Sequence, residues 1–273
     1  MAASSIAFSQ DESIALKTLS FEGTGGTALN LKSSFTSAVG YGGIIEGRVG
    51  VRHNFTIGVQ VGYEQFSLDQ HDPVTAWNWT YWIKYYRPYI NTDWLGDSLY
   101  FNGAKVKTSS LSNDQITSGT PLVRKDSVYQ ATLKPVQYIT VIPLGVTFNY
   151  DFSDLFPGGE FSPFASIGLH MFVFDRNLYL DEQWAKRRVA DVGPDSGQMY
   201  TFQYGYHNYA PSKKGETYGI SARIGTDVNL SDLLAVRVSG EYYSIFSFVG
   251  KSAYNDFPMA GYVTLNVGIV IRY

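Results

Sequence analysis

The chain has 273 residues, a formal net charge of −3 and a mean hydropathy of −0.11. This charge balance gives no support for nucleic-acid binding, because proteins that bind nucleic acids concentrate basic residues. No apolar run reaches the length of about 18 residues that a transmembrane helix needs, so a helical membrane protein is excluded.

The composition is typical of an all-β protein. Aromatic residues make up 16 % of the chain, with 21 Tyr and 17 Phe, and there are 27 Gly. Aromatic side chains suit pleated surfaces, and glycine relieves crowding where strands approach closely. A β-barrel that hides one polar face and exposes one apolar face has an average hydropathy of this kind.

The N-terminal region gives the weakest pattern. Residues 1–12 lack a basic segment and have a short apolar run, so we expect either a disordered N-terminus or the remnant of a signal peptide. The first strand is predicted at 15–23 in preference to 29–37, because the second choice leaves almost no connection to the next strand. Residues 23–38 are then expected to form a loop.

Seven further segments alternate with a period of two, as strands do when their faces meet different surroundings. Apolar residues lie on one face, and glycine, polar or charged residues lie on the other. The segments are 41–53, 55–68, 138–152, 163–174, 217–228, 233–247 and 262–273. His53 and Asn54 form a tight hairpin turn, and Pro143 predicts a bulge because it lacks a ladder donor.

The lengths of the connections alternate along the chain. Short ones are predicted at 53–54, 153–162 and 229–232, long ones at 69–131 and 175–216, and an intermediate one at 248–258. All long connections would lie at one end, as in outer-membrane barrels with short periplasmic turns and long extracellular loops.

These patterns predict an all-β fold, a transmembrane antiparallel up-and-down β-barrel of eight strands over residues 13–273, with both termini in the periplasm. A loop of some sixty residues needs structure of its own, so hairpins above the membrane are expected near 97–108 and 126–134. Two alternatives remain: a ten-stranded barrel, if 97–134 enters the membrane, and a soluble β-sandwich.

The inward faces of the predicted strands carry charges of both signs. The interior of an eight-stranded barrel is just wide enough for side chains, and buried charges need partners. We therefore expect a salt-bridged plug, with a narrow or gated polar pore as the alternative. The residues of this predicted lumen network are Glu46, Arg48, Arg52, Glu64, Asp151, Arg223, Asp227, Arg237, Glu241 and Arg272.

The long connections are rich in aromatic residues, with a second group at 199–209. The first group is expected either to pack as a loop core or to contact lipid, glycan or a protein partner. Its members are Trp77, Trp79, Tyr81, Trp82, Tyr85, Tyr86, Tyr89 and Trp94. Basic clusters at 186–188 and 213–214 would attract lipopolysaccharide phosphates, although an ordinary solvated surface also explains them.

Catalytic motifs are absent from the sequence. It contains no metal-ligand spacing, no phosphate-binding loop and no G-x-S-x-G, so we expect no metal, no cofactor and no enzymatic activity. His170 and Ser166 share a predicted inward face, but four residues of strand separate them by roughly 13 Å, beyond hydrogen-bond reach.

The hairpin at 41–68, the strand at 142–150 and the terminal strand at 262–273 resemble the small outer-membrane β-barrel superfamily, which includes the OmpA transmembrane domain and OmpW- and OmpX-like proteins. The resemblance implies a location in the bacterial outer membrane, surrounded by its lipids. It also implies a C-terminal signal read by the barrel-assembly machinery, carried here by Leu265, Val267, Ile269, Ile271 and Tyr273. That family usually ends in Phe, so Tyr273 is a departure.

The resulting hypothesis is a non-enzymatic outer-membrane barrel with a plugged lumen. Its aromatic extracellular loops would serve a structural or surface-binding role, with a protein partner or an envelope assembly as candidates. An OmpW-like channel for small or hydrophobic solutes is the alternative, and a lipid-modifying barrel enzyme is the third class.

Overall fold

The computed structural model describes residues 16–32, 34–124, 129–156, 160–189, 199–246 and 256–273. Twelve strands form one antiparallel sheet in this part of the chain. They are β1 Leu16–Leu31, β2 Phe35–Arg52, β3 Phe55–Gln70, β4 Ser98–Phe101, β5 Ala104–Lys107, β6 Leu122–Arg124, β7 Tyr129–Asp151, β8 Phe161–Val189, β9 Met199–Tyr209, β10 Lys213–Asn229, β11 Leu234–Ile245 and β12 Met259–Arg272.

Eight of these strands form a ring in which each strand is hydrogen-bonded to two neighbours. The order is β1, β2, β3, β7, β8, β10, β11 and β12, and β12 pairs with β1. The predicted up-and-down β-barrel of eight strands is confirmed. The short strands β4 and β5 pair with each other and with β6 rather than entering the ring, so the ten-stranded alternative is wrong.

The two faces of the ring differ as the alternating sequence predicts. The outward face exposes a band of large apolar side chains, among them Ile45, Val59, Val146, Phe148, Ile167, Leu169, Ile224, Leu265, Val267 and Ile269. The inward face buries polar and charged residues in the same strands. No helix among the described residues is long and apolar enough to cross a membrane.

β7 and β8 extend well beyond the apolar band. On β8 the outward residues change from Leu169 and Val173, which are exposed and apolar, to the polar Asp175 and Asn177. The upper part of this hairpin carries a second layer of structure, which we call the cap. The cap contains β4, β5, β6, β9, the short helices Pro73–Trp77 and Asn113–Ile116, and the cap helix, which runs through Trp82–Tyr86, Arg87–Tyr89 and Ile90–Trp94.

The apolar core has two parts, one inside the barrel and one under the cap. Inside the barrel, a cluster that we call the apolar plug contains Ala38, Phe66, Leu68, Ile139, Val141, Phe172, Phe174, Tyr243, Ile245, Phe257, Met259 and Tyr262. Under the cap, Trp77, Trp79, Trp82 and Ile90 pack against Leu178, Leu180 and Trp184 of β8.

The first strand differs from its prediction. β1 runs from Leu16 to Leu31 and pairs along its length with β2 and β12, so residues 23–38 are mostly strand rather than loop. The stretch Gly23-Thr24-Gly25-Gly26 contains no apolar residue and therefore shows no alternation, yet its backbone pairs as well as any other. The prediction for residues 1–12 lies outside the described residues.

The connections also differ in detail. Much of 175–216 is strand, because β8 reaches Val189 and β9 returns beside it. A hairpin is present near 97–108, formed by β4 and β5. Near 126–134 the chain continues β7 from Tyr129, and residues 125–128 lie outside the described part.

Candidate functional site

The lower half of the lumen holds a network of buried arginines and carboxylates centred on Glu46. Arg48 Nη2 lies 2.8 Å from Glu46 Oε2, and Nη1 of Arg223 and of Arg237 lie 3.3 and 3.4 Å from the same oxygen. Arg237 also makes a two-pronged contact with Asp227, at 2.7 and 3.0 Å. Paired charges of this kind satisfy one another out of contact with water.

Glu22 of β1 is a member of this network that the sequence analysis missed. It forms an ion pair with Arg223, lies 3.6 Å from Arg237 Nη1, and accepts a hydrogen bond from Ser20 Oγ at 2.9 Å. Glu22 lies within the predicted first strand, but the sequence analysis assigned no inward face to that strand. The alternation of Ser20, Glu22 and Thr24, all buried, is the signal that could have revealed this inward face.

One aromatic ring stands among the three buried guanidinium groups. The guanidinium carbons of Arg48 and Arg237 each lie 4.7 Å from the centre of the Phe164 ring, and that of Arg223 lies 5.6 Å from it. A ring face attracts cations, so Phe164 keeps the three arginines together despite their mutual repulsion.

Three predicted members of the network lie at its edge or outside it. Arg52 is exposed, because a shift of register between Gly50 and Arg52 precedes the turn and displaces it from the inward face. Asp151 accepts the backbone N–H of Ser153 at 2.7 Å and makes no ion pair with a described residue, so it caps a turn. Arg272 is a quarter exposed at the barrel mouth, 3.6 Å from Asp227.

Glu64 and Glu241 lie inside the barrel as predicted but apart from the arginine network. Each is 1 % exposed, and neither forms an ion pair with a described residue within 4 Å. The structure therefore divides the ten predicted lumen residues into a paired group, two unpaired buried carboxylates and three peripheral residues.

The apolar plug lies above these groups, toward the cap. Tyr243 and Tyr262 stack with ring centres 4.6 Å apart, and Phe66 meets Tyr262 edge-on at 5.2 Å. Phe172 contacts Tyr243 at 5.7 Å, and Phe257 lies 6.4 Å from Phe172. The rings reach one another from β3, β8, β11 and β12, so they fill the cross-section of a narrow barrel.

The predicted aromatic cluster divides by residue type. Trp77, Trp79 and Trp82 are buried in the cap core, and Trp94 and Tyr86 pack partly against it. The remaining three, Tyr81, Tyr85 and Tyr89, are exposed along one side of the cap helix. The loop-core interpretation thus fits the tryptophans, whereas three tyrosines stand at the surface.

A buried carboxylate anchors the cap helix to the barrel extension. Tyr86 donates its hydroxyl hydrogen to Glu182 Oε2 at 2.7 Å, and Trp184 Nε1 donates to the same oxygen at 3.0 Å. Burial, together with the adjacent Glu182, holds the pKa of the Tyr86 hydroxyl well above its usual value. Tyr86 therefore remains a hydrogen-bond donor throughout the physiological range.

Strand β9 brings a second group of aromatic residues to the same region. Phe202, Tyr204 and Tyr206 are exposed, and the Tyr204 ring is nearly parallel to that of Trp184, with centres 6.5 Å apart. Tyr89 of the cap helix contacts Trp94, and Trp94 contacts Trp184, so a chain of rings leads from Tyr89 to Tyr204. Tyr206 pairs in register with Glu182, the residue that Tyr86 binds. We call the exposed set Tyr81, Tyr85, Tyr89, Phe202, Tyr204 and Tyr206 the aromatic surface.

His170, which the sequence analysis compared with Ser166, is hydrogen-bonded to a different serine. His170 Nε2 lies 2.9 Å from Ser221 Oγ on the neighbouring strand β10, not against Ser166. Both residues are buried in the lumen below the apolar plug. Among the described residues, no group of three or more His, Cys, Asp or Glu side chains could hold a metal ion.

The ring of eight antiparallel strands with an apolar outside and a polar inside defines an up-and-down β-barrel of the kind that spans bilayers. The chain is similar to Neisserial surface protein A, at 9 % identity and a TM-score of 0.44, over 96 % of this chain and 100 % of that one. It is similar to a major outer membrane protein of Thermus thermophilus, at 11 % identity and a TM-score of 0.43, over 93 % and 99 %.

A third similar structure is Ail, the attachment invasion locus protein of Yersinia pestis, at 7 % identity and a TM-score of 0.34, over 95 % of this chain and 100 % of that one. No protein-family profile and no curated protein sequence matches the chain. Similarity at this level concerns the general strand arrangement and says nothing about what the chain binds.

Proposed function

We propose that this protein is a non-enzymatic barrel of the bacterial outer membrane that presents a binding surface on its cap and conducts no solutes. The observation that carries the proposal is the aromatic surface, where six large rings remain exposed above the apolar band. Contiguous exposed aromatic patches on a folded protein mark interaction sites, because Tyr and Phe bury large areas with few rotatable bonds.

The outer wall supports the membrane location. Apolar residues such as Ile167, Leu169 and Val267 are exposed, and in water they would drive association. Above Val173 the outward side chains become polar, which favours an extracellular position for the cap. Short connections then lie at the periplasmic end, together with the first residue of β1 and the last residue of β12.

The interior argues against the alternative of a channel. A solute entering from outside would meet the Phe66, Phe172 and Tyr262 rings and, below them, the ion pairs of Glu46. Breaking a buried ion pair is strongly unfavourable, so thermal opening of the network would be rare. We therefore assign transport a secondary place.

Two measurements test the proposal together. The purified protein, inserted in planar bilayers, is expected to give no single-channel currents. In the native host, a photoreactive phenylalanine analogue replacing Tyr85 or Tyr204 is expected to form a discrete adduct on intact cells. The same analogue replacing Leu230, which is exposed in the turn at the opposite end, is the matched control and is expected to form no such adduct.

If the protein conducts ions steadily and forms no adduct at either cap position, the proposed binding role is wrong and transport is the better explanation. An adduct of equal yield at Leu230 would mean that the cap has no special affinity. A conducting barrel that also forms the cap-specific adduct would retain the binding role and contradict the closed lumen.

A further inference from the structure

Buried oxygen atoms without a hydrogen-bond partner gather in one layer of the lumen, between the arginine network and the apolar plug. Among the described residues, neither carboxylate oxygen of Glu64 or Glu241 accepts a hydrogen bond of ordinary geometry, although the Ser221 and Tyr243 hydroxyls lie beside Glu241. The Thr264 hydroxyl and both amide atoms of Asn266 also lack such a partner. All four side chains are at most 2 % exposed. Burying this many polar atoms is costly unless something binds them.

Strand register places the four residues close together. Glu241 of β11 pairs directly with Thr264 of β12, and Asn266 is the next inward residue of β12 toward the periplasmic end. Glu64 of β3 pairs with Gly42 of β2. Because glycine has no side chain, the Glu64 side chain can pass close over it toward β11 and β12; a Cβ atom at position 42 would lie 3.0 Å from Glu64 Cγ. The Tyr262 hydroxyl faces Glu64 without closing a hydrogen bond of ordinary length.

The opposite walls of the barrel meet at this level. Gln60, which precedes Glu64 on the inward face of β3, donates from Nε2 to the Tyr243 hydroxyl of β11 at 2.8 Å. Tyr262, whose hydroxyl faces Glu64, stacks on Tyr243, which is the next inward residue of β11 above Glu241. Two carboxylates therefore face the same small volume from opposite sides.

Two of the buried carboxylates below the apolar plug have no ion-pair partner among the described residues. Five carboxylates are buried there, those of Glu22, Glu46, Glu64, Asp227 and Glu241. Three buried guanidinium groups face them, those of Arg48, Arg223 and Arg237, and that of the quarter-exposed Arg272 lies 3.6 Å from Asp227. Glu64 and Glu241 are the two carboxylates that form no ion pair with a described residue. Arg223 lies beside Glu241 in the strand register, but it directs its guanidinium group to Glu22, Glu46 and the Ser239 hydroxyl.

We propose that Glu64 and Glu241, with the oxygens of Thr264 and Asn266, bind one calcium ion inside the barrel. A divalent cation would neutralise the two unpaired carboxylates. The donors are all oxygens, which hard cations prefer, and no nitrogen or sulfur donor competes in the set. Calcium fits better than magnesium, because the layer lies between a plug and an ion-pair network, where a cation must shed its water, and magnesium dehydrates reluctantly.

This position has a kinetic consequence. The apolar plug separates the site from the cap end of the barrel. Arg48, Arg223 and Arg237 lie between the site and the periplasmic end. The ion would enter as the barrel closes and exchange slowly afterwards. A chelator added to the folded protein would then have little effect, whereas the same chelator present during refolding would remove the ion.

The test uses the full-length protein, refolded from urea into detergent micelles with either calcium chloride or EGTA and then passed through calcium-free buffer. Elemental analysis is expected to find about one calcium per chain only in the first preparation, which also unfolds at a higher temperature. Glu64→Gln and Glu241→Gln are each expected to lose the metal. The matched control is Glu160→Gln, since Glu160 is exposed outside the lumen, and it is expected to retain the metal.

The double variant Glu64→Gln/Glu241→Gln removes both unpaired charges. It is expected to fold equally well with calcium or EGTA, which separates a charge-balancing role from a simple loss of packing. A wild-type protein that holds no calcium, with the same unfolding temperature in both preparations, would overturn the proposal in favour of two protonated carboxyl groups. Retention of calcium by the double variant would also overturn it, because the metal would then be bound elsewhere.

Discussion

Arg176 lies against Trp77 across the boundary between barrel and cap, with its guanidinium carbon 4.5 Å from the centre of the Trp77 ring. The same guanidinium group also meets the ring of Phe35 at 4.7 Å. Arg176 Nη2 donates to Gln70 Oε1 at 3.0 Å and to Gln137 Oε1 at 2.8 Å. A single β8 residue thus joins three barrel strands to the first helix of the cap.

We expect Arg176→Met to loosen the cap while leaving the barrel folded. The change removes a cation–π contact that is worth about 2 kcal/mol when desolvated, and it leaves the Gln137 amide oxygen without its donor, whereas Gln70 Oε1 keeps the hydrogen bond from Gln137 Nε2. Limited proteolysis in detergent should cut the cap faster, and the tryptophan emission should shift to longer wavelength. Arg176→Lys keeps the charge but not the planar fork, so an intermediate rate is expected.

The control for this change is Lys134→Met, because Lys134 is an exposed residue of β7 outside the contact. It should leave the proteolysis rate unchanged. Equal rates for Arg176→Met and the wild-type protein would show that the apolar contacts of Trp77 suffice to hold the cap.

Removing Arg237 should destabilise the barrel itself. Arg237 contacts Asp227 through two hydrogen bonds and lies 3.4 Å from Glu46, so Arg237→Met takes a buried partner from both carboxylates. Breaking a buried pair on one side costs about 3–5 kcal/mol. Urea unfolding in lipid vesicles, followed by tryptophan fluorescence, should show a lower midpoint.

The double variant Arg237→Met/Asp227→Asn is the matched partner of that experiment. It removes one charge of each sign, so part of the lost stability is expected to return. If the single and double variants unfold at the same midpoint, the Arg237–Asp227 pair does not act as a unit.

The fold was predictable wherever one face of a strand meets an apolar environment and the other face meets a polar one. Strands such as β3 and β12 carry that contrast in every second residue, and the ring of eight followed from them. The length of β1 was predicted wrongly because its glycine-rich centre has no apolar side chains that could alternate. Backbone pairing with β2 does not require such side chains. The strands β9 and upper β8 were not predicted. Their faces meet water in some places and the cap in others, so apolar and polar residues do not alternate consistently along them.

The lumen network was predictable in composition but not in partners. Alternation alone places Glu46, Arg48, Arg223 and Arg237 inside, and eight strands are narrow enough for them to meet. It cannot show that Glu64 lies a layer above the arginines, because that depends on how the strands are staggered around the barrel. Arg52 shows the same limit, since a one-residue shift at the turn reverses the face that a side chain occupies.

Tyr86→Phe should weaken the attachment of the cap helix with little effect on the barrel. The hydrogen bond from the Tyr86 hydroxyl to Glu182 is 2.7 Å long and partly buried. Hydrogen bonds to charged groups contribute about 1.5–3 kcal/mol, and Glu182 would keep its contact with Trp184. Thermal unfolding followed by near-ultraviolet circular dichroism should show an earlier loss of the aromatic signal.

Tyr85→Phe is the control, because Tyr85 is exposed on the outer side of the cap helix. It should leave the unfolding curve in place. A shift of the same size in both variants would attribute the effect to the aromatic surface in general rather than to the bond with Glu182.

Lys32, in the turn between β1 and β2, should make stability depend on pH. Burial lowers its pKa from 10.5 to about 8, while Asp256 opposes the shift. Between about pH 8 and pH 10 the unfolded chain then binds more protons than the folded chain, so the free energy of unfolding rises with pH. Below pH 8 both states are protonated, and the full cost of burying the charge remains.

Lys32→Met should therefore be more stable than the wild-type protein at pH 7, and the difference should shrink as the pH approaches 10. Comparing the two proteins at each pH cancels the other titrating groups, because only residue 32 differs. Urea unfolding in vesicles at pH 7, 8.5 and 10 measures the difference directly. A difference that stays constant, or that grows with pH, would mean that the ammonium group of Lys32 gains more from Asp256 than it loses on burial.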